Sequence, residues 1–124
     1  MRKILLSIKP EYADKIFLGV KKYEFRKTIF RDKNVKTVVV YASSPVKKVI
    51  GEFSIDSILS GTPSDIWRTT SSLSGITQDS FCEYYANRET AFAIKIGNTK
   101  RYRKERNLSD FNIAFAPQSF VYLR

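Results

Sequence analysis

The sequence predicts an α+β domain built on a small curled sheet. Three observations carry this: an apolar strand pattern that runs into a proline-started helix over residues 3–18, a long alternating stretch with a central glycine over residues 46–59, and helical spacing confined to about 63–88. With 124 residues, of which 43% are hydrophobic and 14% aromatic, the chain has material for one core, so residues 1–124 are expected to form a single domain. It shows no repeat, heptad or low-complexity tract, which excludes solenoids and coiled coils.

Ile4 to Ile8 reads as a buried strand, ended by Lys9-Pro10, where the fixed φ of proline suits a first helical turn. Tyr12, Ala13, Ile16 and Phe17 then form one helical stripe, and Gly19 stops the helix. Lys22 to Phe30 alternates with period two, placing Tyr23, Phe25 and Ile29 on one face and Glu24, Arg26 and Thr28 on a charged face. Thr37 to Ala42 is β-branched enough for a central strand buried on both faces, ended by Ser43-Ser44-Pro45. Val46 to Leu59 reads as a long bent strand with a bulge at Gly51.

Two inserted helices follow, at Pro63 to Thr70 and Thr77 to Asn87, the second capped by Thr77. Trp67, Phe81, Tyr84 and Tyr85 supply an aromatic core there, with Cys82 read as a buried small hydrophobe. Thr90 to Gly97 and Lys100 to Arg106 are read as separate strands, and Ser119 to Leu123 as the last, entered at Pro117.

The net charge is +10, distributed as +9 over residues 1–50, −2 over 51–100 and +3 over 101–124. If the two ends meet they form one positive face, and a phosphate-rich partner is the first expectation. Histidine is absent and Cys82 is the only cysteine, which excludes a Ser-His-Asp triad, a Cys-His dyad, an intrachain disulfide and any His/Cys zinc site. No metal or cofactor is expected. The N-terminal apolar run is too short for a signal peptide, and no window approaches a membrane span, so the expected location is the cytoplasm.

The densest group of functional side chains is Gly19 to Lys27, a turn feeding a strand. Lys21 stands at its mouth, and Glu24 and Arg26 project together about 7 Å apart. Arg26 offers a planar fork to phosphate, Lys21 and Lys22 offer point charges, and Glu24 can orient Arg26 or take a proton. The same pattern also fits a solvated strand face with a weak ion pair. Crowding by Lys22 and Arg26 is expected to disfavour the charged form of Lys21. Ser43 and Ser44 form either a small hydroxyl-rich ligand turn or an ordinary turn bonding its own backbone. The run with Arg101, Tyr102 and Arg103 fits a nucleic-acid backbone contact with one stacking face, and equally a charged sheet edge guarding against aggregation.

Gly19, Lys21, Glu24 and Arg26 spell GxKxxExR, and on this motif the chain resembles the ASCH family of the PUA-like superfamily. Similarity continues through Ser7-Ile-Lys9-Pro10, Val40 to Pro45, Ile50 to Phe53, Trp67 to Tyr85, Ala91 to Ile96 and Ala116 to Phe120, so it covers essentially the whole chain. The resemblance implies a small PUA-like mixed β-barrel with a cleft beside the first helix, and RNA or nucleotide binding. Some members of the family are amidohydrolases of N4-acetylcytidine with a lysine-assisted threonine nucleophile. Glu24 stands at that position here, so that nucleophile is missing. Other members are ribonucleases. The chain also departs from the family pattern at Glu105-Arg106 and at Ala116, changes that bear on edge geometry more than on the cleft.

Two readings follow. In the first, RNA or a modified nucleotide binds a cleft floored by Glu24 and Arg26 and flanked by Lys9, Lys21, Ser43 and Ser44, with Arg101, Tyr102 and Arg103 as further contacts. In the second, Lys21 and Glu24 are catalytic, in a metal-independent ribonuclease or a nucleobase amidohydrolase. A protein partner is a third class, for which the sequence offers no apolar groove, and the oligomeric state stays open.

Overall fold

The computed structural model describes residues 2–123. Its elements are β1 (Arg2–Ile8), α1 (Pro10–Leu18), β2 (Tyr23–Arg26), β3 (Val35–Ala42), β4 (Lys48–Gly61), α2 (Pro63–Thr70), α3 (Gln78–Tyr84), β5 (Ala91–Arg106) and β6 (Phe120–Leu123), with short 3-10 turns after α2 and β5. The six strands form one sheet in the order β2-β5-β4-β3-β1-β6. Only β1 and β3 run parallel; every other pair is antiparallel.

The sheet is not closed into the expected barrel. Its edge strands, β2 and β6, are four residues each and share no ladder. Arg26 on β2 reaches across the gap, donating through Nη1 to Ser7 O of β1 at 3.4 Å and through Nη2 to Ser119 O, just before β6, at 3.3 Å. The result is a mixed α+β sheet with a polar seam. The chain ends do meet, since Lys3 pairs with Leu123 across β1 and β6.

Local chemistry accounts for the elements that build this seam. Pro10 opens α1, and Gly19 ends it at φ 85°, with its N–H donating to the last turn. β2 is shorter than the alternation to Phe30 predicts. The Tyr85 hydroxyl donates to Arg26 O at 2.9 Å and lies 3.2 Å from Phe92 O, standing at the point where a longer ladder would continue. Conversely, the two strands expected over residues 90–106 are one continuous β5, because slips in register against β4 absorb the irregularity around Gly97. A further slip near Gly51 bends β4.

Three apolar clusters hold the sheet. α1 covers one face through Ala13 and Ile16, which pack with Ile4, Leu6, Val38, Val40 and Phe53. On the other face Leu5, Val39, Tyr41 and Val49 pack under the C-terminal segment. The third cluster carries α2 and α3 on Tyr23, Phe25, Ala91 and Ala93, with Phe81 and Tyr85 buried at its centre. Thr62 and Thr77 cap the two helices by accepting from Asp65 N and Ser80 N. Cys82 is exposed, which corrects its assignment to the core: the buried stripe of α3 runs through Phe81 and Tyr85, and the next residue turns to solvent. No helix among the described residues is long and apolar enough to cross a membrane.

Candidate functional site

A cleft of about 500 Å³ opens along the polar seam. The end of β1 and the residue after it supply Ser7 and Lys9, α1 supplies Tyr12, and Lys21, Glu24, Phe25 and Arg26 form the floor. Glu83 and Tyr84 of α3 make one wall and Gln118 the other. Helix α3 and the C-terminal segment therefore both flank the GxKxxExR strand.

The expected solvated strand face is in fact enclosed. Glu24 and Arg26 side chains are 7% and 14% exposed, and they pair at 3.1 Å through Glu24 Oε2 and Arg26 Nη1. Arg26 spends three N–H groups on Glu24, Ser7 O and Ser119 O, which leaves two of its five donors. Its first role is thus to hold the seam and orient the carboxylate. Glu24 Oε1 accepts from no protein donor among the described residues, and Glu24 lines the cleft.

Lys21 is 1% exposed, the largest fully buried side chain described. Its Nζ donates to Ser74 O at 2.7 Å and lies 4.7 Å and 5.2 Å from the Phe25 and Tyr12 ring centroids. Burial pushes its pKa down from 10.5 to about 8, the Lys15 charge adds to this, and Glu24 opposes it. The predicted direction is right but its cause is corrected: burial and Lys15 act, not crowding by Lys22 and Arg26.

The turn after α2 fixes this lysine. Lys15 Nζ donates to Gly75 O at 3.1 Å, beside the Lys21 bond to Ser74 O, and Lys22 N donates to Leu73 O at 2.9 Å. Gly75 has φ +69°, and a Cβ there would stand 2.5 Å from Lys21 Cβ, so only glycine lets the turn press this close. Burial also raises the Tyr84 hydroxyl pKa, with Glu24 adding and Arg26 opposing, so Tyr84 remains a neutral donor on the cleft wall.

The structure brings Lys9, Lys21, Glu24 and Arg26 together. Ser43 and Ser44 are not among the cleft-lining residues: Ser43 N donates to Ile8 O at 3.0 Å, so their turn buttresses the end of β1. Arg101, Tyr102 and Arg103 also lie outside the cleft, at the far end of β5. There Arg101 pairs with Asp14 at 3.3 Å, and Tyr102 donates to Glu52 at 2.9 Å. Sequence reasoning missed Tyr84, Gln118 and the Ser74-Gly75 turn. Nothing in local spacing marks Gln118 or the turn, while helical spacing groups Tyr84 with the aromatic core of the inserted helices.

A helix after the first strand, an open mixed sheet and a GxKxxExR strand in the seam define a domain of the ASCH class. A crystal structure of ASCH from Zymomonas mobilis is similar at TM-score 0.90 and 27% identity, covering 98% of this chain and 87% of that one. The family model described as Domain of unknown function (DUF365) matches residues 2–118, and the chain belongs to this family. It is 28% identical to the ASCH domain-containing ribonuclease of Zymomonas mobilis, over 99% of this chain and 85% of that protein. It is also 36% identical over 122 residues to the large ribosomal subunit protein uL22 of Ureaplasma parvum serovar 3. That match takes in 98% of this chain but spans only 39% of that protein's length.

Proposed function

We propose that the chain binds RNA in the seam cleft and cleaves it there by acid/base chemistry. The observation that carries this reading is Lys21: an amine buried against two aromatic rings, with a pKa of about 8, lining an open cleft beside a carboxylate. A lysine used only to attract phosphate gains nothing from burial, whereas one that must give up a proton near neutral pH does. The ribonuclease name of the Zymomonas mobilis relative supports RNA as the substrate class.

In this mechanism Glu24 Oε1 takes the proton of a ribose 2′-hydroxyl, whose oxygen attacks the adjacent phosphorus. The bond from phosphorus to the 5′-oxygen breaks, and the Lys21 ammonium gives that oxygen a proton, leaving a 2′,3′-cyclic phosphate and a 5′-hydroxyl. Lys9 at the rim and the two remaining Arg26 donors stabilise the added charge on phosphorus. Arg26 meanwhile holds Glu24 in place.

The test is incubation of oligoribonucleotides with the wild-type chain and with Glu24→Gln, with and without EDTA, products being read by mass spectrometry. Glu24→Gln is expected to lose about 10²–10⁴-fold in rate while retaining RNA binding. Wild-type cleavage by Glu24→Gln, or cleavage that EDTA abolishes, overturns the mechanism. RNA held but never cut leaves a binding module in place of an enzyme.

A further inference from the structure

β2 pairs with β5 only over residues 92–95, and Ile96 N donates to Lys22 O. From there to Arg101, β5 has β4 on one side and no strand on the other; the register then slips, so that residues 102–105 bulge without a β4 partner before Arg106 pairs with Val49. This free edge carries Lys100, Arg101, Arg103, Lys104 and Arg106 against the single acid Glu105. Charge on a free edge is an ordinary guard against strand addition, but two observations ask for more than a guard.

The first is pairing. Arg101 is engaged by Asp14, and Arg106 lies over the Tyr102 ring at 4.7 Å. Lys100, Arg103 and Lys104 form no ion pair among the described residues. Lys100 stands opposite Glu52 in register, yet that carboxylate accepts from Tyr102 and faces Lys3 at 3.7 Å. The second is shape. The edge and the turn at 107–110 wall a concavity of about 750 Å³ that shares no lining residue with the seam cleft. Two acids, Glu105 and Asp110, share this lining with the five cationic and polar residues of the edge, and Asp110 is occupied in accepting from Asn107 N at 2.9 Å.

We infer that the free edge of β5, through Lys100, Arg103 and Lys104, is a second RNA site that holds the sugar-phosphate backbone of a strand extending beyond the seam cleft. This rests on the RNA reading of that cleft. Cations without protein partners in a concavity match a chain of phosphates, and the exposed Arg106 guanidinium gives a plane on which a base can stack. A lipid surface fits less well, because the edge exposes no apolar side chain to insert: its one aromatic, Tyr102, is half-buried beneath Arg106. β5 rises about 3.3 Å per residue, so Arg103 lies up to roughly 26 Å along the strand from Lys95 at the level of β2. Only a long RNA reaches both sites.

The experiment compares the wild-type chain with a Lys100→Gln/Arg103→Gln/Lys104→Gln variant by fluorescence anisotropy. The probes are 2′-O-methyl RNAs, which lack the attacking hydroxyl: one of about 20 nucleotides, longer than the ~4–16 a single groove covers, and a trinucleotide. For the long probe the variant is expected to bind about tenfold more weakly, with a salt slope smaller by about 2, three contacts at about 0.7 each. Trinucleotide affinity is expected to stay the same. Unchanged affinity and slope for the long probe overturn the inference, as does an equal loss for both probes. Binding of wild-type chain, but not variant, to anionic phosphatidylserine vesicles with no difference on RNA overturns it in favour of a membrane surface. Because these probes cannot be cut, failure here is separate from failure of the cleavage test above.

Discussion

Lys21 imposes a pH dependence on stability that can be measured with no substrate present. The residue is 1% exposed, and burial with the Lys15 charge takes its pKa from 10.5 to about 8. Unfolding returns the lysine to its ordinary value. Between about pH 8 and 10.5 the unfolded state therefore holds a proton that the folded state has shed, and stability rises with pH across that window. Below about pH 8 both states are protonated and the gain is absent. At about 1.4 kcal/mol per pH unit, the interval from 8 to 10.5 amounts to roughly 3 kcal/mol. Lys21→Met keeps the stem packed between Tyr12 and Phe25 and removes the titration. The unfolding free energy of wild type minus that of the variant, from urea curves followed by Trp67 fluorescence, is expected to climb by roughly 3 kcal/mol between about pH 7 and 10.5. Taking the difference cancels Tyr85 and Tyr102, whose hydroxyls burial pushes upward and which act in the opposite direction above about pH 10. Near pH 7 the offset is small, because the relieved burial of charge is set against Ser74 O losing its donor, about 1–3 kcal/mol. A difference that stays flat or falls with pH refutes a buried, shifted Lys21.

Two further outcomes follow from the same turn. Lys15→Met removes the cation next to Lys21 and is expected to raise its pKa above about 8; pH-dependent acylation of Lys21, read by mass spectrometry, checks this, and a lower or unmoved midpoint contradicts the assigned cause. Gly75→Ala places a Cβ 2.5 Å from Lys21 Cβ at φ +69°, with a backbone cost of about 1–3 kcal/mol before the clash. Its melting temperature is expected to fall by roughly 5–15 °C, and an unchanged value shows that the turn does not press on Lys21.

Much of the scaffold was legible because it depends on interactions between near neighbours in sequence. Pro10 and Gly19 bound α1, and Thr62 and Thr77 cap their helices, through backbone geometry that acts over a few residues. The buried run in β3 was equally plain, since β-branched residues without polar alternation have no solvent face. Barrel closure was not legible: whether the edges of a sheet join depends on ladders between segments far apart in the chain, and here an Arg26 clamp stands where a ladder would. The length of β2 was hidden for the same reason, as Tyr85 ends it from 59 residues away.

The sequence by itself determined an α+β chain with a Lys-Glu-Arg strand behind a helix, because spacing and motif are properties of the order of residues. Only the tertiary structure decided what that strand is. It sank Lys21 and Glu24 out of water, set Lys15 and Lys21 on adjacent carbonyls of one turn, and moved the Ser43-Ser44 turn and the β5 basic run out of the cleft. Charge state and accessibility depend on which distant atoms exclude solvent. The same charged motif residues would make an exposed ion pair on one scaffold, and on this one Lys21, Glu24 and Arg26 floor a cleft.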